Sequence, residues 1–255
     1  MSADSTVYLI TGANRGIGLA LAGIFVKRPN TIVIATSRKP VPDVFASLNS
    51  ASGSGSKIFP LLLDEADPAI SSATLAACLQ ARFGITRLDV VIANAGGSAG
   101  FKSALDTSPE DLLYDFTVNA VGPAKLFQAT WPLLSASKKN NNKKFVLITS
   151  SVGSIAGLDQ PPVLPGAAYG MSKAAANYFA KKLSVELKEE GLLVGIIHPG
   201  WVKTGNGQAF ADAVGFPEPP MTLQESSEGV VHQIDTLTPE KSGQFLTHNG
   251  EAVPW

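Results

Sequence analysis

Short apolar runs recur along the chain, and most are followed by a longer segment whose apolar residues return every three or four positions. Several runs are continuously apolar rather than alternating, which is typical of strands that are covered on both faces of a sheet. The runs predict strands at 6–11, 31–36, 57–64, 88–94, 145–150, 193–198 and 243–248. The longer segments predict helices at 17–27, 71–83, 109–135, 169–190 and 223–237.

This alternation of strand and helix predicts the fold class. A strand that is followed by a helix and a second strand forms a parallel pair with a right-handed crossover. We therefore predict an α/β protein, a single doubly wound (Rossmann) domain with about seven parallel strands and helices on both faces. The 255 residues suit one such domain, and no repeat or linker divides them, so the predicted single domain spans residues 1–255.

Composition and charge restrict the class of ligand. Hydrophobic residues make up 45% of the chain and charged residues 16%, which provides a large core and too little charge for disorder. A net charge of −1 supplies no field for nucleic acid or an anionic membrane, so we expect small-molecule ligands. The lysine-rich run at 138–144 has no basic neighbours and is interpreted as a solvated turn.

The cysteine content and the first residues indicate the cellular compartment in which the protein is expected. Cys78 is the only cysteine, which excludes an intrachain disulfide or a cysteine-based metal site and suits a reducing compartment. The first six residues lack the basic and apolar pattern of a signal peptide. No apolar run approaches the ~20 residues that span a bilayer. We therefore expect a cytoplasmic location, no membrane contact and no metal.

A glycine-rich stretch joins the first predicted strand to the first predicted helix, with the sequence Thr-Gly-Ala-Asn-Arg-Gly-Ile-Gly at 11–18. Glycines at such a turn let backbone N–H groups approach a pyrophosphate at the helix N-terminus. Glycine spacing alone is weak evidence, but a strand before and a helix after are the context that a dinucleotide site requires. The alternative is a tight turn without a ligand. The candidate residues are Gly12, Asn14, Arg15, Gly16, Ile17 and Gly18.

The end of the second predicted strand distinguishes the two nicotinamide dinucleotides. An acidic residue there would bind a ribose 2′-hydroxyl and repel a 2′-phosphate. Here the strand leads into Ser37, Arg38 and Lys39, with no acid. Arg38 can pair with a phosphate as a planar fork, Ser37 can donate a hydrogen bond, and Arg15 approaches the same pocket. These residues favour NADP(H) over NAD(H); the alternative is that Arg38 and Lys39 are ordinary surface charges.

The pattern Tyr-x-x-x-Lys occurs twice, at Tyr169/Lys173 and at Tyr178/Lys182. The two tyrosines are nine residues apart and so lie on opposite faces of a helix. Tyr169 stands at the predicted helix start, where a site at the strand ends would open, whereas Tyr178 lies mid-helix and is predicted to pack. An ammonium one helical turn away favours the phenolate form of a tyrosine, whose ordinary pKa is about 10. Tyr169 is therefore the candidate acid–base group with Lys173 as its partner; the alternative is a surface pair without chemistry.

Further polar residues follow successive strands. Ser150 and Ser151 end the fifth predicted strand, from which a hydroxyl can donate to a substrate carbonyl. The stretch 94–96, Asn-Ala-Gly, ends the fourth, at the edge where open α/β sheets bind ligands. Asn119 lies inside a predicted helix, where propensity disfavours it. Each alone is also consistent with an ordinary turn or a tolerated residue, but their recurrence at strand ends predicts a site.

Together these motifs resemble the short-chain dehydrogenase/reductase family. The matching segments, in family order, are TGANRGIG at 11–18, Asp64, NAG at 94–96, Asn119, Ser151, YGMSK at 169–173 and PGWVKT at 199–204. They extend over nearly the whole chain. Within the family, the segments VYLITGANRGIGLAL, LDVVIANAG, AANYFAKKL and SGQFLTHNGEAVPW are similar to fungal norsolorinic acid ketoreductases and related carbonyl reductases.

The resemblance implies an NADP-dependent oxidoreductase that acts on CH–OH and C=O groups. It implies that Ser151, Tyr169 and Lys173 are catalytic and that Asn119 completes the set through a proton-relay water. It also implies that Asp64 contacts adenine, that Asn94 contacts the ribose region, and that Val202 and Thr204 contact the nicotinamide carboxamide. The cofactor-binding residues predicted in all are Gly12, Asn14, Arg15, Gly16, Ile17, Gly18, Ser37, Arg38, Asp64, Asn94, Ala95, Gly96, Tyr169, Lys173, Pro199, Val202 and Thr204.

The sequence departs from the family pattern in two places. The stretch between Ser151 and Tyr169, which contains three prolines, is longer than in typical members and is expected to reshape one wall of the pocket. Because Ser150 precedes Ser151, either serine can take the catalytic role, and the motif alignment favours Ser151.

The segment 205–222 is the candidate substrate lid. It combines glycines and prolines with Phe210 and Phe216, a composition that suits a mobile cover over an apolar substrate. The alternative is a surface excursion whose aromatic residues fold into the core. Trp201 and Phe101 either face this pocket or pack in the core.

These features predict an NADPH-dependent ketoreductase that reduces a bulky aromatic or polyketide-like ketone of secondary metabolism and takes the proton from Tyr169. Two alternatives stay open: a non-catalytic NADP(H)-binding sensor, and a family enzyme that oxidises an alcohol or reduces a carbon–carbon double bond. The resemblance also leaves open a homodimer or homotetramer formed through the helices 109–135 and 169–190, or a monomer.

Overall fold

The computed structural model describes residues 5–65, 67, 72–137, 143–159 and 164–255, and a seven-stranded parallel sheet forms its centre. The strands are β1 (Thr6–Ile10), β2 (Thr31–Ser37), β3 (Lys57–Leu62), β4 (Val90–Ala93), β5 (Lys143–Ile148), β6 (Leu192–His198) and β7 (Phe245–Thr247). Their order in the sheet is β3-β2-β1-β4-β5-β6-β7, and every neighbouring pair is parallel. The predicted α/β doubly wound fold is confirmed.

Helices cover both faces of this sheet. The α-helices are α1 (Gly16–Val26), α2 (Pro42–Ser50), α3 (Ser72–Phe83), α4 (Pro109–Phe116), α5 (Gly122–Ser135), α6 (Ala167–Glu186), α7 (Gly205–Val214) and α8 (Leu223–Asp235). Apolar residues of α1, α2 and α8 form the core on one face, and those of α3, α5 and α6 form the core on the other. The sheet is therefore buried between two helical layers.

Strand β1 shows why the apolar runs are continuous. Val7 and Leu9 enter the core beneath α3, α5 and α6, whereas Tyr8 and Ile10 enter the core beneath α1, α2 and α8. All four side chains are buried. Because successive side chains of a strand point to opposite faces, a strand with two buried faces needs an apolar residue at every position.

The helix predicted at 109–135 is interrupted. Helix α4 ends at Phe116, the chain makes a π-helical turn at Thr117–Val121, and α5 begins at Gly122. Pro123 in the first turn of α5 has no backbone N–H to continue a regular α-helical ladder from the preceding turn. A π-helical turn accommodates the extra residue at this junction.

Two helices were not expected from the periodicity. Helix α2 begins with Pro42 and Asp43 in its first turn, but Phe45 is its only buried residue, so no apolar stripe marks it. Helix α7 occupies the first part of the candidate lid. Most of the lysine-rich run at 138–144, and Pro161 and Pro162, lie outside the described residues.

The sheet order reverses beside β1. Strands β2 and β3 lie to one side of it and β4 to β7 to the other, so the connections after β1 and β4 lead away from each other. In open α/β sheets, the crevice at such a reversal is where ligands bind. Among the described residues, no helix combines the length and the apolar character that a bilayer crossing requires.

Candidate active site

The turn after β1 and the end of β4 are bonded to each other across the crevice. The Asn94 side-chain amide donates to the Thr11 carbonyl at 2.9 Å, and the Thr11 hydroxyl accepts from the backbone N–H groups of Asn94 and Ala95 at 3.0 Å each. The Asn94 side chain, predicted to contact the ribose, therefore braces the glycine-rich turn. Gly96 follows at the exposed rim of the crevice.

The glycine-rich turn has the backbone geometry that its sequence predicts. Gly12 and Gly16 adopt left-handed conformations, with φ of +61° and +55°, which favour glycine. A Cβ on Gly18 would lie 2.4 Å from Asn94 Nδ2 and 2.5 Å from the Gly12 carbonyl oxygen, so no other residue fits. Helix α1 begins at Gly16 without a side-chain cap on its N-terminal N–H groups. These donors are available to an anion.

Two arginines lie near the glycine-rich turn. Arg15 precedes α1 and Arg38 follows β2, and both are exposed. Ser37 is buried, and its hydroxyl donates to the Lys39 carbonyl at 2.7 Å, so it shapes the end of β2. Asp64 is exposed just beyond β3, the neighbouring strand.

Tyr169 and Lys173 lie on the first turns of α6. The helix starts at Ala167, after Gly166 in a left-handed conformation with φ of +119°. Lys173 is buried, and its Nζ donates to the Ile148 carbonyl at 3.2 Å and lies 5.6 Å from the centre of the Tyr169 ring. Tyr178 does not pack as predicted: it is 73% exposed on the outer face of α6.

Burial dominates the ionisation of this pair. It raises the pKa of Tyr169 to about 12, and the Asp115 carboxylate acts in the same direction, whereas contacts from the Ser150 and Asn206 side chains oppose it. Burial lowers the pKa of Lys173 to about 8, with opposing effects of Glu65 and Asp115. We expected Lys173 to favour the phenolate, but burial, which has the largest effect on the pKa of Tyr169, favours the neutral phenol. Tyr169 is therefore a neutral phenol, the form that donates a proton.

The two serines after β5 face different partners. Ser150 is buried; its hydroxyl accepts from the Val152 N–H at 3.2 Å, and its side chain opposes the rise in the pKa of Tyr169. Ser151 is exposed to the crevice. The Ser151 N–H donates to His198 Nδ1 at 3.2 Å, and its Oγ lies 3.4 Å from Nε2. The structure thus brings Ser151 to His198, whereas Ser150 affects the pKa of Tyr169.

Asn119 lies in the π-helical turn and is fully buried. Its side-chain oxygen accepts from the Gly97 N–H at 3.1 Å, and its amide donates to the Gly97 carbonyl at 2.8 Å and to Ser172 Oγ at 3.0 Å. The side chain therefore ties the loop after β4 to α6, one residue before Lys173. This explains why an amide is retained inside a helix, where propensity disfavours it.

Residues 199–204 connect β6 to α7. Pro199 and Val202 are buried, and the Thr204 hydroxyl accepts from the Gly207 N–H at 3.1 Å to cap α7. The Trp201 indole donates to the Gly207 carbonyl at 3.0 Å. The predicted nicotinamide contacts thus begin the helix that forms the candidate lid.

A row of aromatic rings runs from Tyr169 to the candidate lid. Phe101 lies 5.5 Å from Tyr169 and 4.9 Å from Phe210, measured between ring centres. Trp201 lies 5.2 Å from Phe210 and 5.4 Å from Phe216. Phe101 and Trp201, left open between pocket and core by the sequence, join α7 to the crevice.

Three polar residues of this site escaped the sequence reasoning. Asp115 is buried in α4 and accepts from the Ala99 N–H at 2.7 Å. Glu65 is buried beyond β3, and burial raises its pKa to about 7. Asn206 lies in the first turn of α7. Of these three, only Glu65 could have been found from the sequence, because it directly follows Asp64, which matches the family pattern.

The chain matches the family model described as short chain dehydrogenase over residues 6–214. It is a short-chain dehydrogenase. This dehydrogenase is 37% identical to the short-chain dehydrogenase RED3 of Pyricularia oryzae over 98% of this chain and 99% of the relative. It is 38% identical to the norsolorinic acid ketoreductase of Aspergillus parasiticus over 99% of this chain and 92% of the relative. The predicted resemblance is confirmed.

Solved structures of carbonyl reductases are similar to the dehydrogenase along nearly its whole length. The NADPH-bound carbonyl reductase from chicken fatty liver is 29% identical, with a TM-score of 0.84 over 98% of this chain and 99% of that one. The carbonyl reductase Sniffer of D. melanogaster is 26% identical, with a TM-score of 0.81 over 98% of this chain and 99% of that one.

Proposed function

We propose that this short-chain dehydrogenase is an NADPH-dependent ketoreductase that reduces a bulky aromatic or polyketide-like ketone to an alcohol. The observation that carries the proposal is the placement of the Tyr169 phenol at the carboxyl edge of the sheet, with Lys173 Nζ 5.6 Å from the centre of its ring. An acid held in its proton-donating form suits reduction, in which the carbonyl oxygen gains a proton. The names of the ketoreductase and carbonyl reductase relatives support the same direction.

The residues of the crevice fit NADP(H). The glycine turn and the uncapped start of α1 offer N–H donors to a pyrophosphate. Arg38 offers an exposed cation at the end of β2, where a ribose 2′-phosphate would lie, and Arg15 offers a second exposed cation directly before α1. We assign the adenine to Asp64, which lies just beyond the neighbouring strand β3, and the carboxamide to Val202 and Thr204. NADPH, when bound, supplies the hydride.

The acid and base groups of the chain supply the proton. Tyr169 donates from its hydroxyl to the ketone oxygen as negative charge develops there. The Lys173 ammonium lies one turn along α6, where it stabilises the phenolate that remains and can hold the cofactor ribose. Asn119 fixes the loop beside Lys173, and we assign it the proton-relay water.

Ser151 is assigned the hydrogen bond to the ketone oxygen. Burial lowers the pKa of His198 to about 4, with a smaller contribution from the charge of His248, so the ring is neutral. Because His198 Nδ1 accepts from the Ser151 N–H, the ring proton lies on Nε2 and faces Ser151 Oγ. The Ser151 hydroxyl proton is then free to point into the crevice. Ser150, whose oxygen is bonded to the Val152 N–H, positions Tyr169.

Alanine at Ser151 is expected to lower kcat by about 10²-fold, the usual effect of removing one donor to a developing oxyanion. Ser150→Ala is the matched control: we expect a smaller loss of kcat, because Ser150 acts on Tyr169 and not on the substrate. Both rates are measured as NADPH consumption with a bulky aryl ketone. If Ser151→Ala keeps the activity of the wild type, the hydrogen bond to the ketone oxygen would be reassigned to Ser150.

Alanine at Arg38 is expected to raise the KM for NADPH about 10- to 100-fold, because a charge-assisted bond to the 2′-phosphate is lost. The KM for NADH should change less than about twofold, since that cofactor has no such phosphate. Arg82→Ala, which removes a cation from α3, serves as the control. Equal effects of Arg38→Ala on both cofactors would contradict the NADP(H) assignment.

The experiment that tests the proposal as a whole is NADPH consumption against a panel of aryl and polyketide-like ketones. Turnover of a ketone supports it. Tight NADPH binding without turnover of any ketone would favour the sensor, and alcohol oxidation or double-bond reduction alone would favour the other chemistry. We also propose a cytoplasmic location.

We further propose that the protein self-associates. Exposed apolar side chains lie along the outer face of α6, at Met171, Tyr178 and Val185, and Leu113 is exposed on α4. An apolar helix face of this kind supports pairing of two copies through these helices.

A further inference from the structure

His198, the last residue of β6, lies at the carboxyl edge of the sheet next to Ser151. Ile196, two positions earlier, is buried in the core that α6 covers. Because side chains alternate along a strand, the His198 ring points to the same layer as α6, the helix that carries Tyr169. The imidazole therefore lies on the side of the sheet where the proposed proton donor acts.

The turn after β5 explains why this ring is held against Ser151. Ser151 begins a 3-10 turn that ends at Gly153, and the first N–H of such a turn has no acceptor within it. The Val152 and Gly153 N–H groups donate to the Ser150 hydroxyl and carbonyl, at 3.2 and 3.0 Å. The Ser151 N–H donates to His198 Nδ1 at 3.2 Å. His198 thus completes the hydrogen bonding of the turn that carries Ser151.

This bond determines which nitrogen of the ring carries the proton. Burial and, to a smaller extent, the charge of His248 lower the pKa of His198 to about 4, so the ring is neutral near neutral pH. Since Nδ1 accepts from the Ser151 N–H, the ring proton is on Nε2, which lies 3.4 Å from Ser151 Oγ. Hydrogen bonds of active sites are often this long before a substrate binds, and they tighten in the complex. The Nε2–H group is then a donor to Ser151 Oγ.

We propose that His198 is a positioning residue, which keeps the Ser151 hydroxyl directed at the ketone oxygen as a donor. An Oγ that accepts from His198 places its own hydrogen away from the ring, toward the open side of the crevice, where Ser151 is exposed. Hydrogen bonds in a chain polarise one another, so the bond from His198 also strengthens the bond that Ser151 gives. This inference rests on the proposed ketoreductase function and adds a residue that acts on the reacting oxygen only through Ser151.

The test is a double-mutant cycle with Ser151→Ala, in which kcat and KM are measured for the NADPH-dependent reduction of 2-acetylnaphthalene. His198→Phe keeps an aromatic ring and removes both nitrogens. We expect it to lower kcat about tenfold, the value of one net hydrogen bond, and to change KM less than about twofold, because the bond to the ketone oxygen strengthens as charge develops. In the Ser151→Ala background the same substitution should change kcat less than about twofold, since the group on which His198 acts is gone.

Two further variants separate positioning from a structural role. His198→Gln offers an acceptor and a donor on one amide, so it should keep at least about a third of the wild-type kcat. His232→Phe makes the same change as His198→Phe at an exposed position of α8 and should leave kcat and KM unchanged. Thermal unfolding shows which variants are folded, and His198→Ala takes the place of His198→Phe in the cycle if the latter does not fold.

Three results from the variants would overturn the proposal. An equal loss of kcat from His198→Phe in the wild-type and Ser151→Ala backgrounds would show that His198 acts on the fold and not through Ser151. A wild-type kcat of His198→Phe overturns it as well, and so does a loss in His198→Gln equal to that in His198→Phe. If the wild-type enzyme binds NADPH, measured by its fluorescence, but reduces no ketone of the panel, the ketoreductase function itself fails, and this inference fails with it.

Discussion

Phenylalanine at Tyr169 is expected to lower kcat by about 10³-fold, within the range that general acid catalysis usually contributes. The substitution removes only the hydroxyl, and the ring that contacts Phe101 and lies beneath the Lys173 ammonium stays in place. The free energy of unfolding should therefore change little, and bound NADPH should still be detectable by fluorescence. The loss is measured as single-turnover NADPH oxidation with a saturating ketone.

Tyr178→Phe is the matched control, because it removes the same atom from the second Tyr-x-x-x-Lys pattern of the same helix. Tyr178 is exposed on the outer face of α6, away from the crevice. Its kcat should equal that of the wild type. If Tyr169→Phe keeps more than about a tenth of the wild-type kcat, the proton comes from another group and the acid assignment fails.

Alanine at Gly18 is expected to abolish measurable NADPH binding and to lower the free energy of unfolding by about 1–3 kcal/mol. The added methyl group would lie 2.4 Å from Asn94 Nδ2 and 2.5 Å from the Gly12 carbonyl oxygen, and the second of these is backbone. The turn has to open to relieve the overlap, which displaces the N–H groups that we assign to the pyrophosphate. Fluorescence titration and chemical denaturation measure the two effects.

Gly23→Ala tests whether a methyl group anywhere in α1 has this effect. A Cβ on Gly23 would lie 3.3 Å from Leu48 Cδ2, a side-chain atom that can move. Alanine is also favoured over glycine in a helix by up to about 1 kcal/mol. We expect unchanged NADPH affinity and equal or higher stability. Normal NADPH affinity of Gly18→Ala would show that this turn does not hold the cofactor.

The sheet was predictable because both of its faces are buried. Every position of β1 from Val7 to Ile10 is apolar, so the run stands out against the loops, and the alternation with helices determines the topology. Helix α2 was not predictable by the same rule, because it buries Phe45 alone. The π-helical turn was also missed, since apolar periodicity of 3.6 residues does not report a local change in hydrogen-bond register.

The candidate site was predictable where strand ends and motifs coincide. The structure places Tyr169, Lys173 and Asn119 around one crevice, but their exact contacts depend on rotamers and turns. The sequence did not show that Ser151 would contact His198 while Ser150 is buried, because the backbone alone determines where adjacent residues after a strand point. Asn206 carried no signal, since its effect on the pKa of Tyr169 depends on where α7 begins.

The bonds between Thr11 and Asn94 join parts of the chain that are 83 residues apart in sequence. During folding, β1 can pair with β2 early. The hydrogen bonds that hold the glycine-rich turn form only when β4 pairs with β1, and closing a loop of that length costs chain entropy. We therefore expect the crevice to be completed late in folding. A dinucleotide that binds only the completed crevice would stabilise the folded chain relative to partly folded chains. The concentration of the dinucleotide in the cell should therefore determine how much of the newly made protein survives proteolysis.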